Sequence, residues 1–362
     1  MSRSVPVPRR VSLASRVKHL LAVLLVLPAG HASAASLTTG WENVAGIDLF
    51  YREGGDAAAP AIVFLHGNPA SSLQYVRLME LLADRYRVLA MDYPSFGFSA
   101  APDRAAYAYT FDQLAATVGD FLRARRVTSY ALFMQDYGVP IGFRLISAAP
   151  EAITAIVVQN GVIHLDGFPS AQDENGELRR HWRSRNRQID ERRRAYTESV
   201  SYPQRKGWEW PARVPPEFVM ANISSARRPG VIAARNDLWF DYRTNLEHYP
   251  AWQALLKRID APLLVIWGSR DTFFTTPGAF AYLRDRPDAE LHILDADHYA
   301  SVEVPEQIAS LTRHFLDGRA HYPRTAPASG SDTARSTHRP SSELDSRSVE
   351  ATYLAEQLVA PR

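Results

Sequence analysis

The sequence predicts an α/β protein in which helices cover both faces of a mostly parallel sheet. Six short apolar segments have the length and composition of buried strands, and they lie at residues 61–65, 87–92, 129–134, 152–159, 263–267 and 290–294. Helical patterns alternate with them, as at residues 111–125, and such alternation is typical of parallel strands joined by crossover helices. Residues 41–52 predict an opening antiparallel hairpin. The 362 residues, 46% of them hydrophobic, are enough for one catalytic domain with an insertion.

The turn between the predicted strand 129–134 and a helix from about Val139 contains Asp136. A tight turn from a strand into a helix exposes its central side chain, which is the geometry of a nucleophile elbow. A carboxylate that attacks a saturated carbon forms an ester, and water can later cleave that ester at its carbonyl. Carbon–halogen bonds and epoxides are therefore the candidate substrates. The alternative is an Asp that braces an ordinary turn.

Two later strand ends offer an acid and a base for the same chemistry. Asp271 follows the strand at 263–267, and His298 follows the strand at 290–294. We expect His298 to activate water, because a neutral imidazole takes up a proton near physiological pH. Asp271 would orient His298 and stabilise the imidazolium. A competing acid position after 152–159 is occupied by Asn160, which cannot carry the charge.

These segments resemble the haloalkane dehalogenase and epoxide hydrolase branch of the α/β-hydrolases. The resemblance covers roughly residues 41–316, and its most specific parts are HGNP at 66–69, QDYG at 135–138, and the WGSRD and DADHY segments. It implies an α/β-hydrolase fold, with a mostly parallel eight-stranded sheet, helices on both faces and a helical cap inserted after strand 6. It also implies a two-step mechanism through an ester of Asp136.

The resemblance suggests how the ester and the leaving group are stabilised. The backbone N–H groups of Asn68 and Tyr137 would bind the ester carbonyl oxygen, and the Asn68 amide would donate to a departing halide. Tyr137 stands where the resembling enzymes place a Trp that binds halide. Tyr242, which precedes an Arg, resembles one of the two cap tyrosines that epoxide hydrolases use as acids.

Residues 162–258 are predicted to form the cap, since they are strongly charged at 179–194 and rich in Trp and Tyr. Tyr202 or Tyr196 is the candidate for the second acidic tyrosine. We also assign Tyr202 and Trp239 to substrate contact, because aromatic side chains commonly line such pockets. The alternative for each of them is an ordinary core residue.

Composition excludes several function classes. The absence of cysteine rules out cysteine nucleophiles, thiolate metal sites and disulfides. There is neither a Walker loop nor a Rossmann fingerprint, and we expect no metal ion and no organic cofactor. A formal charge of +2, without a basic tract interleaved with aromatics, disfavours nucleic-acid binding. The expected partners are a small apolar organic substrate and water, and the expected state is a monomer or a homodimer.

Residues 1–35 have the features of an export signal. A basic region precedes a short apolar stretch at 20–28, and the A-x-A cleavage pattern at 32–34 follows. We expect a periplasmic or secreted protein that begins near Ala35 and has no stable membrane insertion after cleavage. A twin-arginine signal and an uncleaved anchor are the alternatives.

The predicted organisation follows from these boundaries. The core comprises residues 36–161 and 259–319, with the cap at 162–258 between them. Residues 320–362 are rich in Ser, Thr, Ala, Pro and Arg, which predicts a disordered tail, because they bury too little apolar surface to offset their ordering entropy.

The leading hypothesis is a hydrolase that acts through an ester of Asp136. Halogenated aliphatics are slightly favoured over epoxides as substrates, on the presence of Asn68. A non-catalytic ligand-binding homologue is the second hypothesis. A serine esterase or lactonase is the third, and the absence of any G-x-S-x-G counts against it.

Overall fold

A computed structural model describes residues 36–169, 177–198 and 213–319. The predicted export signal, the predicted tail and Tyr202 lie outside the described residues. Within those three ranges, no helix is both long enough and apolar enough to cross a membrane.

The strands form one eight-stranded sheet, and most of its pairs are parallel. The strands are β1 (Thr38–Val44), β2 (Ile47–Gly54), β3 (Ala61–Leu65), β4 (Arg87–Met91), β5 (Tyr130–Gln135), β6 (Ile153–Gln159), β7 (Leu263–Gly268) and β8 (Glu290–Leu294). Their order in the sheet is β1-β2-β4-β3-β5-β6-β7-β8. Only the pairs β1/β2 and β2/β4 of this sheet are antiparallel. The carboxyl ends of β3 and β5 to β8 therefore meet at one edge, where ligands bind in open α/β sheets.

Helices cover both faces of the sheet, as the alternation of patterns predicts. They are α1 (Val76–Leu82), α2 (Phe111–Ala124), α3 (Gly138–Ala148), α4 (Glu177–Arg183), α5 (Arg187–Glu198), α6 (Pro216–Ala226), α7 (Val231–Leu256), α8 (Pro277–Asp285), α9 (Ala300–Glu303) and α10 (Pro305–Arg319). One apolar cluster joins α2 and α3 to the sheet, and the other joins α1 and α10 to its opposite face. Residues of β3 alternate between these clusters, because successive side chains of a strand point to opposite faces.

The helices α4 to α7 lie between β6 and β7. The long helix α7 packs against α4, α5 and α6 and also against α2 and α3 of the core. One face of α7 is therefore directed at the elements that border the elbow.

The predicted elements around the elbow agree with the structure to within one residue. β5 ends at Gln135 rather than 134, because Gln135 still pairs in register with Gln159 of β6. α3 begins at Gly138, directly after the turn that contains Asp136. The predicted opening hairpin corresponds to β1 and β2.

Candidate active site

The turn between β5 and α3 presents Asp136 in a strained conformation. Its φ of +49° lies in the left-handed region, which residues other than glycine seldom adopt. Two glycines allow the turn to pack this closely. A Cβ at Gly138 would overlap the carbonyl oxygen of Leu65, and a Cβ at Gly67 would overlap Asp136 itself. The glycines beside the elbow are therefore required by close approach of the backbone.

The carboxylate of Asp136 is held by two backbone donors. The N–H of Asn68 donates to Oδ1 at 2.6 Å, and the N–H of Tyr137 donates as well. Burial raises the pKa of Asp136, while the charge of His298 and these two N–H groups act in the opposite direction. The same donors lie where an ester carbonyl oxygen on Asp136 would be stabilised.

His298 lies between two carboxylates. Its Nε2 is 3.9 Å from Oδ2 of Asp136, and its Nδ1 is 2.8 Å from Oδ2 of Asp271. Burial lowers the pKa of His298, but the charge and hydrogen bond of Asp271, with the charges of Asp136 and Asp297, outweigh burial and raise it overall. Asp297 accepts the backbone N–H of His298 at 2.7 Å, and burial raises the pKa of this carboxyl to about 6.

Asp271 is fully enclosed and has four hydrogen-bond donors. Its Oδ1 accepts the backbone N–H groups of Phe273 at 2.7 Å and Phe274 at 3.1 Å. Its Oδ2 accepts from His298 and from Nδ2 of Asn160, which is 2.8 Å away. Asn160, which the sequence excludes as the acid, thus donates a hydrogen bond to Asp271, the predicted acid after the neighbouring strand. Its position at the end of β6, beside β7, is the signal that could have revealed this contact.

Gln135 is a second polar residue that sequence reasoning missed. It is the last residue of β5, its side chain is buried, and its Nε2 lies 2.8 Å from Nε2 of His298. It immediately precedes Asp136, so its place beside the site could be read from the chain, but its contact with a residue 163 positions away could not.

His66 is the other buried histidine beside the elbow, and it has a structural role. Its Nδ1 donates to the carbonyl oxygen of Gly67 at 2.9 Å, and its Nε2 accepts from the N–H of Tyr93 at 3.3 Å. Burial lowers the pKa of His66 to about 4. Both ring nitrogens are engaged by backbone, so His298 is the histidine available for proton transfer.

Tyr242 lies on α7, and its hydroxyl is 3.3 Å from the hydroxyl of Tyr249. The ring of Tyr242 stacks on Trp182, with centroids 5.4 Å apart and an interplanar angle of 7°. Burial raises the pKa of both tyrosines, and the nearby charge of Asp136 adds to this effect. Sequence reasoning placed Tyr249 among the cap aromatics but did not assign it as an acid, although its spacing of seven from Tyr242 places both on one face of a helix.

The two cap residues assigned to substrate contact, Trp239 and Tyr202, remain predictions. Trp239 packs against His181, with ring centroids 4.5 Å apart, and against the guanidinium of Arg193, so its contact with substrate stays a prediction. Tyr202 lies outside the described residues. Across 36–169, 177–198 and 213–319, no group of three or more His, Asp or Glu is arranged to hold a metal ion.

Comparison with known proteins places this geometry in a family. The family model for the alpha/beta hydrolase fold matches residues 60–305. The chain belongs to the α/β-hydrolase superfamily. A hydrolase of Saccharomyces cerevisiae, named as uncharacterised, is 34% identical to this α/β-hydrolase over 279 residues, which cover 74% of this chain and 93% of that protein.

Further similarities are to haloalkane dehalogenases in sequence and to epoxide hydrolases in fold. A haloalkane dehalogenase of Mycobacterium marinum is 35% identical over 137 residues, 38% of this chain and 44% of that protein. The structure of a putative epoxide hydrolase from Pseudomonas aeruginosa superposes with a TM-score of 0.66 at 20% identity, covering 81% of this chain and 97% of that one. The chain thus shares its fold with both enzyme groups, and part of its sequence is similar to haloalkane dehalogenases. Asp136, Asp271 and His298 follow the chain order of nucleophile, acid and histidine in this superfamily.

Proposed function

We propose that this α/β-hydrolase converts an epoxide to a diol through an ester of Asp136. The observation that supports an epoxide over a halide is the hydroxyl pair of Tyr242 and Tyr249, in which the ring of Tyr242 lies 5.8 Å from the ring of Tyr137, the residue next to Asp136. An epoxide oxygen leaves as an alkoxide and needs an acidic O–H donor, whereas a halide leaves as a stable anion. This pair of hydroxyl groups outweighs the slight preference for halogenated substrates that Asn68 suggests in the sequence.

In the first step, Asp136 attacks an epoxide carbon, the carbon–oxygen bond breaks, and a tyrosine transfers its proton to the alkoxide. The raised pKa of both tyrosines keeps them protonated until an alkoxide, a much stronger base than a phenolate, forms beside them. The charge of Asp136 contributes to the raised pKa of the tyrosines, and esterification removes this charge. Each tyrosine therefore becomes more acidic as the reaction proceeds.

In the second step, a water attacks the carbonyl carbon of the Asp136 ester while His298 takes the water's proton at Nε2. The N–H groups of Asn68 and Tyr137 stabilise the oxyanion. The bond between the carbonyl carbon and the alkyl oxygen then breaks, and the alkyl oxygen takes up the second proton of the water, which regenerates the carboxylate of Asp136. The diol leaves, and the proton on His298 returns to the tyrosinate through solvent. Asp271 stabilises the transient imidazolium.

Haloalkane dehalogenation is the second candidate. It is favoured by Asn68, whose backbone already contacts Asp136 and whose amide has two N–H donors for a halide. Tyr137 could assist, because its hydroxyl is buried and has no hydrogen-bond partner within the described part of the chain. The ester chemistry of Asp136 is common to both candidates.

Rates on styrene oxide and 1-bromobutane, measured for three variants, separate the candidates. For an epoxide hydrolase, Tyr242→Phe should lower turnover of styrene oxide by about 10²-fold, since one preorganised donor to developing charge contributes roughly 3 kcal/mol. Asn68→Ala should matter less, because its backbone N–H remains. Tyr282→Phe is the matched control, since its buried hydroxyl donates to the carbonyl oxygen of Gly161 at 3.0 Å and is therefore not available to the alkoxide.

A dehalogenase gives the opposite ranking. Asn68→Ala would then lower bromide release by about 10²-fold, and Tyr242→Phe would have little effect. An enzyme that releases bromide efficiently but leaves styrene oxide intact would refute the epoxide proposal. If Tyr282→Phe were as damaging as Tyr242→Phe, the effect would reflect packing and not proton donation.

A further inference from the structure

The amide of Gln135 contacts the one atom of His298 that must accept a proton from water. The two nitrogens are 2.8 Å apart, and the same amide nitrogen lies 3.4 Å from the backbone oxygen of His298. Gln135 is fully buried, so solvent does not compete for its hydrogen bonds. Its effect on His298 is therefore direct.

Two other buried residues fix which way the Gln135 amide points. Its oxygen accepts from Nε2 of Gln74 at 3.3 Å, and the same Gln74 nitrogen lies 3.2 Å from the hydroxyl of Ser301. The amide nitrogen of Gln135 faces His298, because it also lies within 3.4 Å of the backbone oxygen of His298, which can only accept, while the amide oxygen accepts from Gln74. Ser301, Gln74 and Gln135 thus form a buried chain of hydrogen bonds that ends on the imidazole.

The hydrogen bonds on both sides of the ring determine its tautomer. Nδ1 faces the carboxylate of Asp271 at 2.8 Å, and a carboxylate can only accept. A neutral imidazole has one N–H, which must therefore be on Nδ1. Nε2 then has a lone pair, and it accepts the N–H of Gln135.

We propose that Gln135 is a positioning residue for His298, whose amide N–H holds the ring neutral, with Nε2 as the acceptor, until water enters to cleave the ester. The inference rests on the proposed ester hydrolysis at Asp136. Three carboxylates face or adjoin the ring, namely Asp136 after β5, Asp271 after β7 and Asp297 in the loop of His298 itself, and all of them favour the imidazolium. Gln135 acts against them, because its N–H bonds only to the neutral form.

A protonated Nε2 would face the amide N–H of Gln135, which places two donors together. Turning the amide would bring its oxygen towards the backbone oxygen of His298, which can only accept and now lies 3.4 Å from the amide nitrogen. The imidazolium is therefore disfavoured by Gln135.

The test is the pKa of His298, followed by side-chain nitrogen NMR of labelled histidine in the full chain without substrate. Gln135→Met keeps the side-chain length but removes the amide. It should raise the pKa of His298 by about one unit, which corresponds to the loss of one hydrogen bond of typical strength. Gln74→Met should cause a smaller rise, since it releases the orientation of Gln135 but leaves the amide in place.

Gln159→Met is the matched control, because this neighbouring glutamine donates to the backbone oxygen of His298 at 3.0 Å and not to the ring. It should change the pKa of His298 less than Gln135→Met does, because its other hydrogen bond is to Asn160 and reaches the ring only through Asp271. A second readout is turnover, in which Gln135→Met should move the acid limb of the kcat profile to higher pH and leave the rate of ester formation unchanged. Unshifted titration of His298 in both Gln135→Met and Gln74→Met overturns the inference. Equal shifts in Gln159→Met would also overturn it. The titration needs no substrate, so its outcome is independent of whether the epoxide proposal holds.

If Gln135→Met fails to fold, Gln74→Met still decides the matter, because Gln74 has no contact of its own with the imidazole among the hydrogen bonds of the described residues.

Discussion

Replacing Asp271 by Asn should stop ester hydrolysis, because the hydrogen bonds around this residue leave the amide only one orientation. Oδ1 accepts two backbone N–H groups, from Phe273 and Phe274, so the amide oxygen must occupy that position. The amide nitrogen then replaces Oδ2 and faces both Nδ1 of His298 and Nδ2 of Asn160.

This orientation of the amide favours the tautomer of His298 that has its proton on Nε2. Nδ1 of His298 must become an acceptor, and the single ring proton moves to Nε2, the atom that should take a proton from water. Asn160 cannot relieve the conflict by turning, because its Oδ1 already accepts from the N–H of Gly268 at 2.9 Å and from Gln159 at 3.0 Å. An incorrect tautomer in an acid–histidine pair lowers turnover by on the order of 10⁴-fold. The new amide nitrogen and Nδ2 of Asn160 are both donors and face each other, which should also lower the free energy of unfolding by about 1–3 kcal/mol.

Rapid-quench kinetics of ester formation and ester hydrolysis would separate the two effects. In Asp271→Asn the first step should remain, since alkylation needs only Asp136, and the ester should accumulate. The double variant Asn160→Asp with Asp271→Asn restores an acceptor for the new amide, so its thermal stability should recover while hydrolysis stays slow. Turnover of Asp271→Asn within tenfold of the parent enzyme would refute the role given to Asp271.

Three further predictions concern the base, the elbow and the predicted export signal. Asp297→Asn removes a charge that raises the pKa of His298, and since the base works only when neutral, the acid limb of the pH–rate profile should move to lower pH; an unmoved limb contradicts this. Gly67→Ala should displace Asp136 and lower kcat by on the order of 10²-fold, and a crystal structure with an unmoved elbow would contradict the reason. N-terminal sequencing of protein from its native compartment should find cleavage after Ala34, whereas a chain that retains its first Met would refute export.

The sequence was sufficient to predict the elements that depend on local pattern. The strand before Asp136 and the helix after it were predicted to within one residue, because a short apolar run and a glycine-containing turn are local features. Asp271 and His298 were chosen from their places at strand ends. Parallel strand ends meet at one edge of a sheet, which is why a choice based on chain order also selects residues that lie together.

What the sequence left open depends on contacts between distant segments. The hydrogen bond from Asn160 to Asp271 joins residues 111 positions apart, and the one between Gln135 and His298 joins residues 163 positions apart. No local pattern distinguishes a buried amide that supports a catalytic group from one that satisfies the backbone. Tyr249 was accessible in principle through its spacing from Tyr242, but the family resemblance directed attention elsewhere in the cap.

Trapping the ester on Asp136 tests the central claim most directly. In His298→Ala, Asp271 keeps the donors from Asn160, Phe273 and Phe274, so the variant should fold without an unsatisfied buried charge. After incubation with styrene oxide, mass spectrometry should find the mass of one substrate added to the peptide that contains Asp136. The adduct should be absent from the double variant that also has Asp136→Asn. An adduct on any other residue, or turnover by His298→Ala at the parent rate without an adduct, would contradict the mechanism.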